Sequence, residues 1–199
     1  MTIPMPSLLE IAAIFFTTIC IFLAGRNNIH TWWTGLIGCV LYGVLFYQSQ
    51  LYADSILQVV FFATGIIGWV QWGREEDKRP SRDLTLVQVG CVLFAAGLTV
   101  CGYGFLLMTY TDAYAPFVDS AVLALSIIGQ YLLMGRYTLA WPAWILVNLI
   151  AAPLFWSRGL HLSGILYAGY FIHACFAWYT WSKLSKTEAP VISQTTVEV

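Results

Sequence analysis

The chain has 199 residues, of which 59% are hydrophobic and 10% are charged, and its formal net charge at pH 7 is -1. Water-soluble domains contain about a quarter charged residues, so this composition excludes an ordinary soluble domain. The near-neutral charge gives no basis for a nucleic-acid-binding surface. Most of the surface of such a chain must lie in lipid.

Seven apolar segments have roughly the length that crosses a lipid bilayer. In chain order they are Leu8–Ala24, His30–Tyr47, Leu51–Trp72, Leu84–Leu107, Asp119–Met134, Leu139–Trp156 and Leu162–Trp181. An open strand would leave backbone amides unpaired in hydrocarbon, and the chain has no long alternating strand pattern, so we predict that all seven segments are helices. The predicted fold is an all-α integral membrane bundle with seven transmembrane helices.

The sequence also contains an internal repeat. Residues 31–72 align without a gap with residues 140–181 at an offset of 109, and roughly three or four identities would be expected by chance. Nine positions are identical, and in the first copy they are Trp32, Leu45, Phe46, Leu51, Ile56, Leu57, Phe62, Trp69 and Trp72. Equivalent helices are four segments apart and therefore have the same orientation. We predict two parallel three-helix repeats joined by a linker helix.

This repeat divides the chain into five predicted units. They are a first three-helix repeat over residues 1–72, a charged cytoplasmic loop over 73–83, a linker helix and outer loop over 84–118, a second three-helix repeat over 119–182, and a cytoplasmic tail over 183–199. Eight of the nine Lys and Arg residues fall on one side of this arrangement, and only Arg158 falls on the other. The positive-inside rule then predicts an amino terminus outside the cell and a carboxyl terminus in the cytoplasm.

Polar and aromatic side chains within the segments predict a binding site. Gln58, Phe62 and Trp69 recur at helical spacing with Gly65 and Trp72, and the repeat places Tyr167, Phe171, Ala174, Trp178 and Trp181 at the equivalent positions. Trp144 and Asn148 are four residues apart and are therefore adjacent on one helix. Indole rings attract a flat cationic ring, and amides bond to sugar hydroxyls. The predicted substrate-binding residues are Trp144, Asn148, Gln58, Trp69, Tyr167, Phe62, Asp119 and Trp178.

Packing roles compete with several of these assignments. Gln58 and Asn148 have the alternative of joining helices, and Asp119 has the alternative of capping the fifth helix together with Ser120. His173 is interpreted as a packing residue rather than a proton carrier. Four further tryptophans close to segment ends favour an interfacial belt over a ligand role; they are Trp32, Trp72, Trp141 and Trp181.

The motifs resemble the PnuC family of bacterial nicotinamide riboside transporters. The residues that carry the resemblance are Gly35-Leu36-Ile37, Phe46-Tyr47, Gln50-Leu51-Tyr52-Ala53, Leu57-Gln58-Val59, Phe61-Phe62-Ala63, Gly68-Trp69 to Trp72, Asp119-Ser120, Leu125-Ser126-Ile127, Trp141 and the pair Trp144 and Asn148. The resemblance covers roughly residues 8–182. It implies a fold similar to the SWEET sugar transporters, a place in the bacterial inner membrane, and facilitated diffusion of a vitamin precursor that a cytosolic kinase then traps by phosphorylation.

Two departures from the family pattern bear on the substrate. Gly38 and Gly65 stand where the resemblance leads us to expect asparagines. Nicotinamide riboside is the expected substrate, and thiamine is the alternative, since it too is flat, aromatic and cationic; riboflavin or a deoxynucleoside also remains open. Whether copies assemble into a homo-oligomer is left open by the sequence.

Catalytic motifs are absent from the sequence. It contains no GxSxG, and His30, His161 and His173 form no pair at metal-ligand spacing. We therefore expect a transporter rather than an enzyme, with no cofactor and no bound metal, whose partners are a small-molecule vitamin or nucleoside and membrane lipid.

Overall fold

The computed structural model of the chain describes residues 8–48, 52–74, 84–110, 115–157 and 161–187. These residues form seven α-helices and include no strand. The helices are α1 (Leu8–Gly25), α2 (His30–Gln48), α3 (Tyr52–Arg74), α4 (Leu86–Tyr110), α5 (Pro116–Met134), α6 (Ala140–Ser157) and α7 (His161–Thr187). Each predicted segment corresponds to one helix, so the prediction of an all-α bundle with seven helices is confirmed.

Local interactions decide where some of the helices begin and end. α4 begins at Leu86 rather than at Leu84 because Thr85 and Gln88 form a capping box. The Thr85 backbone N–H donates to Gln88 Oε1 at 2.9 Å, and the Gln88 backbone N–H donates to Thr85 Oγ1 at 3.3 Å. α7 continues beyond the predicted end at Trp181 to Thr187, because lysines end an apolar run but are good helix formers.

The outer surface of the bundle is apolar. α1, α4 and α5 are long and apolar enough to cross a membrane by length and composition, and Ala140–Leu154 is a shorter apolar helix. Large apolar side chains of α4 point outward; for example, Leu93 is 65% exposed and Phe94 is 70% exposed. Such a surface suits contact with lipid rather than water.

The helices pack in a ring. α2 packs against both α1 and α3, and α6 packs against both α5 and α7. We call α1 to α3 the first half and α5 to α7 the second half. The halves meet through α3 against α5 and through α7 against α1, and α4 packs against α5. At the offset of the repeat, α3 is equivalent to α7 and α1 is equivalent to α5. The contact between α3 and α5 is therefore equivalent to the contact between α7 and α1, and the six-helix ring has approximate two-fold symmetry.

The turns after α1 and α5 have the same backbone conformation. Asn27 and Arg136, which are equivalent at the offset of the repeat, have left-handed φ angles of 50° and 55°. The backbone N–H of Asn28 donates to Leu23 at 3.0 Å, and the equivalent N–H of Tyr137 donates to Leu132 at 2.8 Å. Both turns are helix ends of the Schellman type. The repeat therefore extends into a region where the sequence similarity is weak.

The largest buried side chains lie where the two halves meet. Trp32, Trp72, Trp141 and Trp181 have exposed fractions of 4%, 2%, 2% and 0%, and we call these four residues the tryptophan cluster. The interpretation of these residues as an interfacial belt is therefore wrong. A belt tryptophan would face lipid and water, whereas these rings are buried in the core of the bundle.

The tryptophan cluster lies at the end of the bundle that carries the described cations. Arg26, Arg74, Arg136 and Lys183 all lie at this end, which we call the cationic end. Most of the predicted charged loop over residues 73–83 and of the tail over 183–199 lies outside the described residues. The predicted unit boundaries therefore stay a prediction.

Candidate functional site

The Trp144 and Asn148 pair lies on the inner face of α6. Asn148 is buried, and its Nδ2 donates to the backbone oxygen of Trp144 at 2.8 Å, one turn earlier. The indole of Trp144 lies against α5, since a Cβ added to Gly129 would lie 3.1 Å from Trp144 Nε1. The glycine therefore allows the ring to approach the α5 backbone. This places an indole against α5 and a buried amide one turn away on α6.

The start of α5 differs from the predicted one. α5 begins at Pro116 with Ala115 at the cap position, and no side chain caps it. The alternative that Asp119 and Ser120 cap this helix is therefore wrong, because a proline at the first position fixes the helix start earlier. Ser120 is buried and its Oγ donates to the Pro116 oxygen at 2.6 Å. Asp119 is half-buried in the first turn of α5.

The predicted residues of α3 and α7 are only partly brought together. Gln58, Phe62 and Tyr167 are half-buried. Gln58 faces α2, since its Cβ lies 3.6 Å from a Cβ that would be added to Gly43. Trp69 and Trp178, at equivalent positions of the repeat, are 44% and 46% exposed and point away from the interior. The structure therefore does not place these two tryptophans with the Trp144 and Asn148 pair.

On α3 and α7, the buried face is rotated about the helix axis relative to the predicted face. On α7 the buried positions include Tyr170, Ala174, Ala177 and Trp181, and on α3 the equivalents of the last three, Gly65, Gly68 and Trp72, are buried. The predicted face was defined by the aromatic residues of the repeat. The steps of three and four between small residues would have indicated the packed face, because small side chains let helices approach closely.

Polar residues that the sequence analysis did not select join the two halves. Thr18 Oγ1 of α1 lies 2.8 Å from Tyr170 Oη of α7, and the Tyr170 ring packs edge-to-face on Tyr167 at 5.9 Å. Gln130 Nε2 of α5 donates to Thr64 Oγ1 of α3 at 3.5 Å.

His173 takes part in a packing contact between the halves. Its Nε2 lies 3.0 Å from the backbone oxygen of Ile21, and its ring lies 4.4 Å from that of Phe22. The offset of the repeat relates Ile21 to Gln130 and His173 to Thr64. Gln130 and Thr64 form the hydrogen bond between α5 and α3. The interpretation of His173 as a satisfied packing residue agrees with this geometry.

The two glycines that depart from the family pattern are packing positions. A Cβ added to Gly38 would lie 2.7 Å from Thr17 Oγ1 of α1, and one added to Gly65 would lie 3.0 Å from Leu36 Cδ2 of α2. An asparagine at either position would need the facing side chain, Thr17 or Leu36, to shift. The glycines therefore permit close contacts between helices and do not by themselves indicate a changed binding surface.

Known transporters are similar to this chain in sequence. A family model described as nicotinamide mononucleotide transporter matches residues 7–183. The chain is 29% identical to the nicotinamide riboside transporter PnuC of Escherichia coli K12, over 75% of this chain and 74% of that protein. It is 28% identical to the riboflavin/roseoflavin transporter RibM of Streptomyces davaonensis, over 76% of this chain and 74% of that protein.

The fold agrees with a solved structure. The crystal structure of the vitamin B3 transporter PnuC superimposes with a TM-score of 0.73 at 24% identity, over 90% of this chain and 82% of that chain. The predicted resemblance to the PnuC family is confirmed by these matches. Since the family model covers nearly all the helices, the chain belongs to the nicotinamide mononucleotide transporter family, which includes the PnuC proteins, and is a multi-pass membrane protein.

Proposed function

We propose that the chain carries nicotinamide riboside into the cell by facilitated diffusion. The observation that carries the proposal is the Trp144 and Asn148 pair in a chain of the PnuC family, with Asn148 only 5% exposed. The indole offers a face for the cationic nicotinamide ring, and the Asn148 amide offers a group for the ribose hydroxyls. The chain then acts as a transporter and not as an enzyme.

The direction of uptake follows from the charges. By the positive-inside rule, the cations Arg26, Arg74, Arg136 and Lys183 support a cytoplasmic position of the cationic end. The amino terminus is then outside, and the membrane is the bacterial inner membrane. Phosphorylation by a cytosolic kinase keeps the internal concentration of the free vitamin low, so net uptake needs no ion gradient.

The contact that His173 makes between the two halves supports passive transport. A proton-driven carrier generally has an ionisable residue in the central pathway. His173 lies in the middle of α7, and its contact with the Ile21 oxygen at 3.0 Å gives it a structural role between the halves. Glu10 and Asp119 lie in the first turns of α1 and α5, away from the helix centres.

Uptake by purified protein tests this proposal. Proteoliposomes that contain the protein and no kinase are expected to fill with labelled nicotinamide riboside only to the external concentration. Proton and sodium gradients are expected to leave the rate unchanged. Accumulation above the external concentration that an uncoupler abolishes would contradict passive transport, and no uptake compared with protein-free liposomes would contradict the substrate.

A flavin or thiamine is the second candidate substrate. The riboflavin/roseoflavin transporter RibM is 28% identical to this chain, almost the same identity as the PnuC protein of Escherichia coli. Competition separates the candidates: unlabelled nicotinamide riboside, thiamine and riboflavin are each added to the uptake assay. Nicotinamide riboside is expected to compete most strongly, and stronger competition by either of the others would reassign the substrate.

A further inference from the structure

A repeated hydrogen bond joins the two halves at the cationic end. Trp72 Nε1 of α3 donates to the backbone oxygen of Met134 at 3.0 Å, where α5 ends. Trp181 Nε1 of α7 donates to the backbone oxygen of Gly25 at 3.1 Å, where α1 ends. The two donors are equivalent at the offset of the repeat, and so are the two acceptors. Each half therefore contributes the same bond to the other half.

Aromatic contacts fill the space around these bonds. The rings of Trp72 and Trp181 lie 6.4 Å apart across the boundary between the halves. Trp72 also packs edge-to-face on Trp32 at 5.2 Å, and Trp181 packs edge-to-face on Trp141 at 5.5 Å. Because the exposed fraction of each ring is 4% or less, a solute between the halves would meet a continuous aromatic barrier at this end.

The tryptophan cluster also contains two buried hydrogen-bond donors without acceptors. The indole nitrogens of Trp32 and Trp141 are buried and have no hydrogen-bond partner within the described part of the chain. Leaving a buried donor without a partner is costly, whereas water would satisfy both donors if opening admits water to the cluster. The closed arrangement is therefore stabilised at Trp72 and Trp181 and destabilised at Trp32 and Trp141, which is the balance that a reversible closure needs.

We propose that the Trp72 to Met134 and Trp181 to Gly25 hydrogen bonds hold the cationic end of the transport pathway closed and that both break when this end opens. This inference rests on the proposed transport function. Two neutral hydrogen bonds shift an equilibrium by about tenfold, enough to favour closure yet weak enough to break in each cycle. Trp72 and Trp181 are then positioning residues that set the population of the closed state.

A buried cysteine can report the opening. Ala177 of α7 is 3% exposed, and its Cβ would lie 3.2 Å from a Cβ added to Gly25 of the other half, so separation of the halves would expose it. Ala177→Cys is introduced into a protein whose five native cysteines are replaced, and its reaction with a maleimide is timed in detergent. Ala13→Cys is the control reporter, since Ala13 is 0% exposed and lies in α1 far from the cationic end.

The test removes the two donors and keeps an aromatic ring at each position. Trp72→Phe with Trp181→Phe is expected to speed labelling at Ala177→Cys by about tenfold, and either single change by about threefold. Trp33→Phe is the matched control, because the Trp33 indole donates to His30 within α2 at 2.9 Å and is expected to leave the rate unchanged.

Two results would overturn the inference. One is an unchanged labelling rate at Ala177→Cys in a double variant that elutes as a folded protein, or in the single variants if the double variant does not fold. The other is a parallel rise at Ala13→Cys, which would show general loosening. The assay contains no substrate, so a failure of all vitamin uptake would contradict the proposed function without changing this readout.

Discussion

Asn27 and Arg136 occupy equivalent positions of the two halves and share a left-handed backbone conformation, with φ angles of 50° and 55°. The two residue types reach it at different cost. Asparagine tolerates this conformation, whereas for other side chains it costs about 1–2 kcal/mol. Arg136 is buried, and its guanidinium lies 4.3 Å from the centre of the Trp72 ring, a cation–π contact of comparable size.

Asn27→Ala is expected to lower the free energy of unfolding by about 1 kcal/mol, because alanine is strained at this φ angle. Asn27→Gly removes the same side chain without that strain and is expected to lower it less. The measurement is the thermal midpoint of the purified protein in detergent. Equal midpoints for the two variants would show that the side chain, and not the backbone conformation, matters at this turn.

Arg136→Ala is expected to lower the free energy of unfolding by about 1–2 kcal/mol, because it removes the cation–π contact with Trp72. Arg74→Ala removes an exposed arginine at the same end of the bundle and is expected to change stability by less than about 0.5 kcal/mol. The same thermal measurement compares them. A loss for Arg136→Ala no larger than that for Arg74→Ala would mean that the Arg136 contact contributes nothing.

Asn148→Ala is expected to weaken substrate binding by about tenfold to a hundredfold, since it removes a hydrogen bond of about 1–3 kcal/mol to the substrate. Trp144→Ala is expected to act similarly by removing a stacking face. Calorimetric titration with nicotinamide riboside measures both, with the thermal midpoint as a stability control. Unchanged affinity with a lowered midpoint would assign these residues to helix packing and direct the search to Gln58 and Tyr167.

The phosphate ester of the substrate is expected to bind at least about tenfold more weakly than the free nucleoside. Every Lys and Arg of the described residues lies at a helix end, so the helix centres offer no cation for a phosphate. Titration with nicotinamide mononucleotide beside nicotinamide riboside measures the difference. Comparable affinities would show that a cation reaches the bound substrate.

Gly68→Ala is expected to lower the free energy of unfolding by about 1–3 kcal/mol through overpacking. Its Cβ would lie 2.5 Å from the buried ring of Trp32, which has little space to move. Gly97→Ala on α4 is the control, because a Cβ there meets nothing within 4 Å and alanine is the better helix former. Equal thermal midpoints for both variants would contradict the close contact at Gly68.

The sequence by itself determined the helices and the family. Apolar length predicted all seven helices, because a chain in hydrocarbon must pair its backbone amides within each segment. The spacing of Trp144 and Asn148 predicted their adjacency, since four residues make about one helical turn. These are local properties, so the order of residues is sufficient for them.

The tertiary structure decided which faces are inside. The repeat alone could not distinguish Trp69, which is exposed, from Trp72, which is buried three residues later, because both are tryptophans with tryptophan equivalents. It also gave no sign that Asn27 and Arg136 share a left-handed turn, because the two residue types differ. Burial and register at these positions depend on how the second half packs against the first, and that contact joins residues that are far apart in the chain.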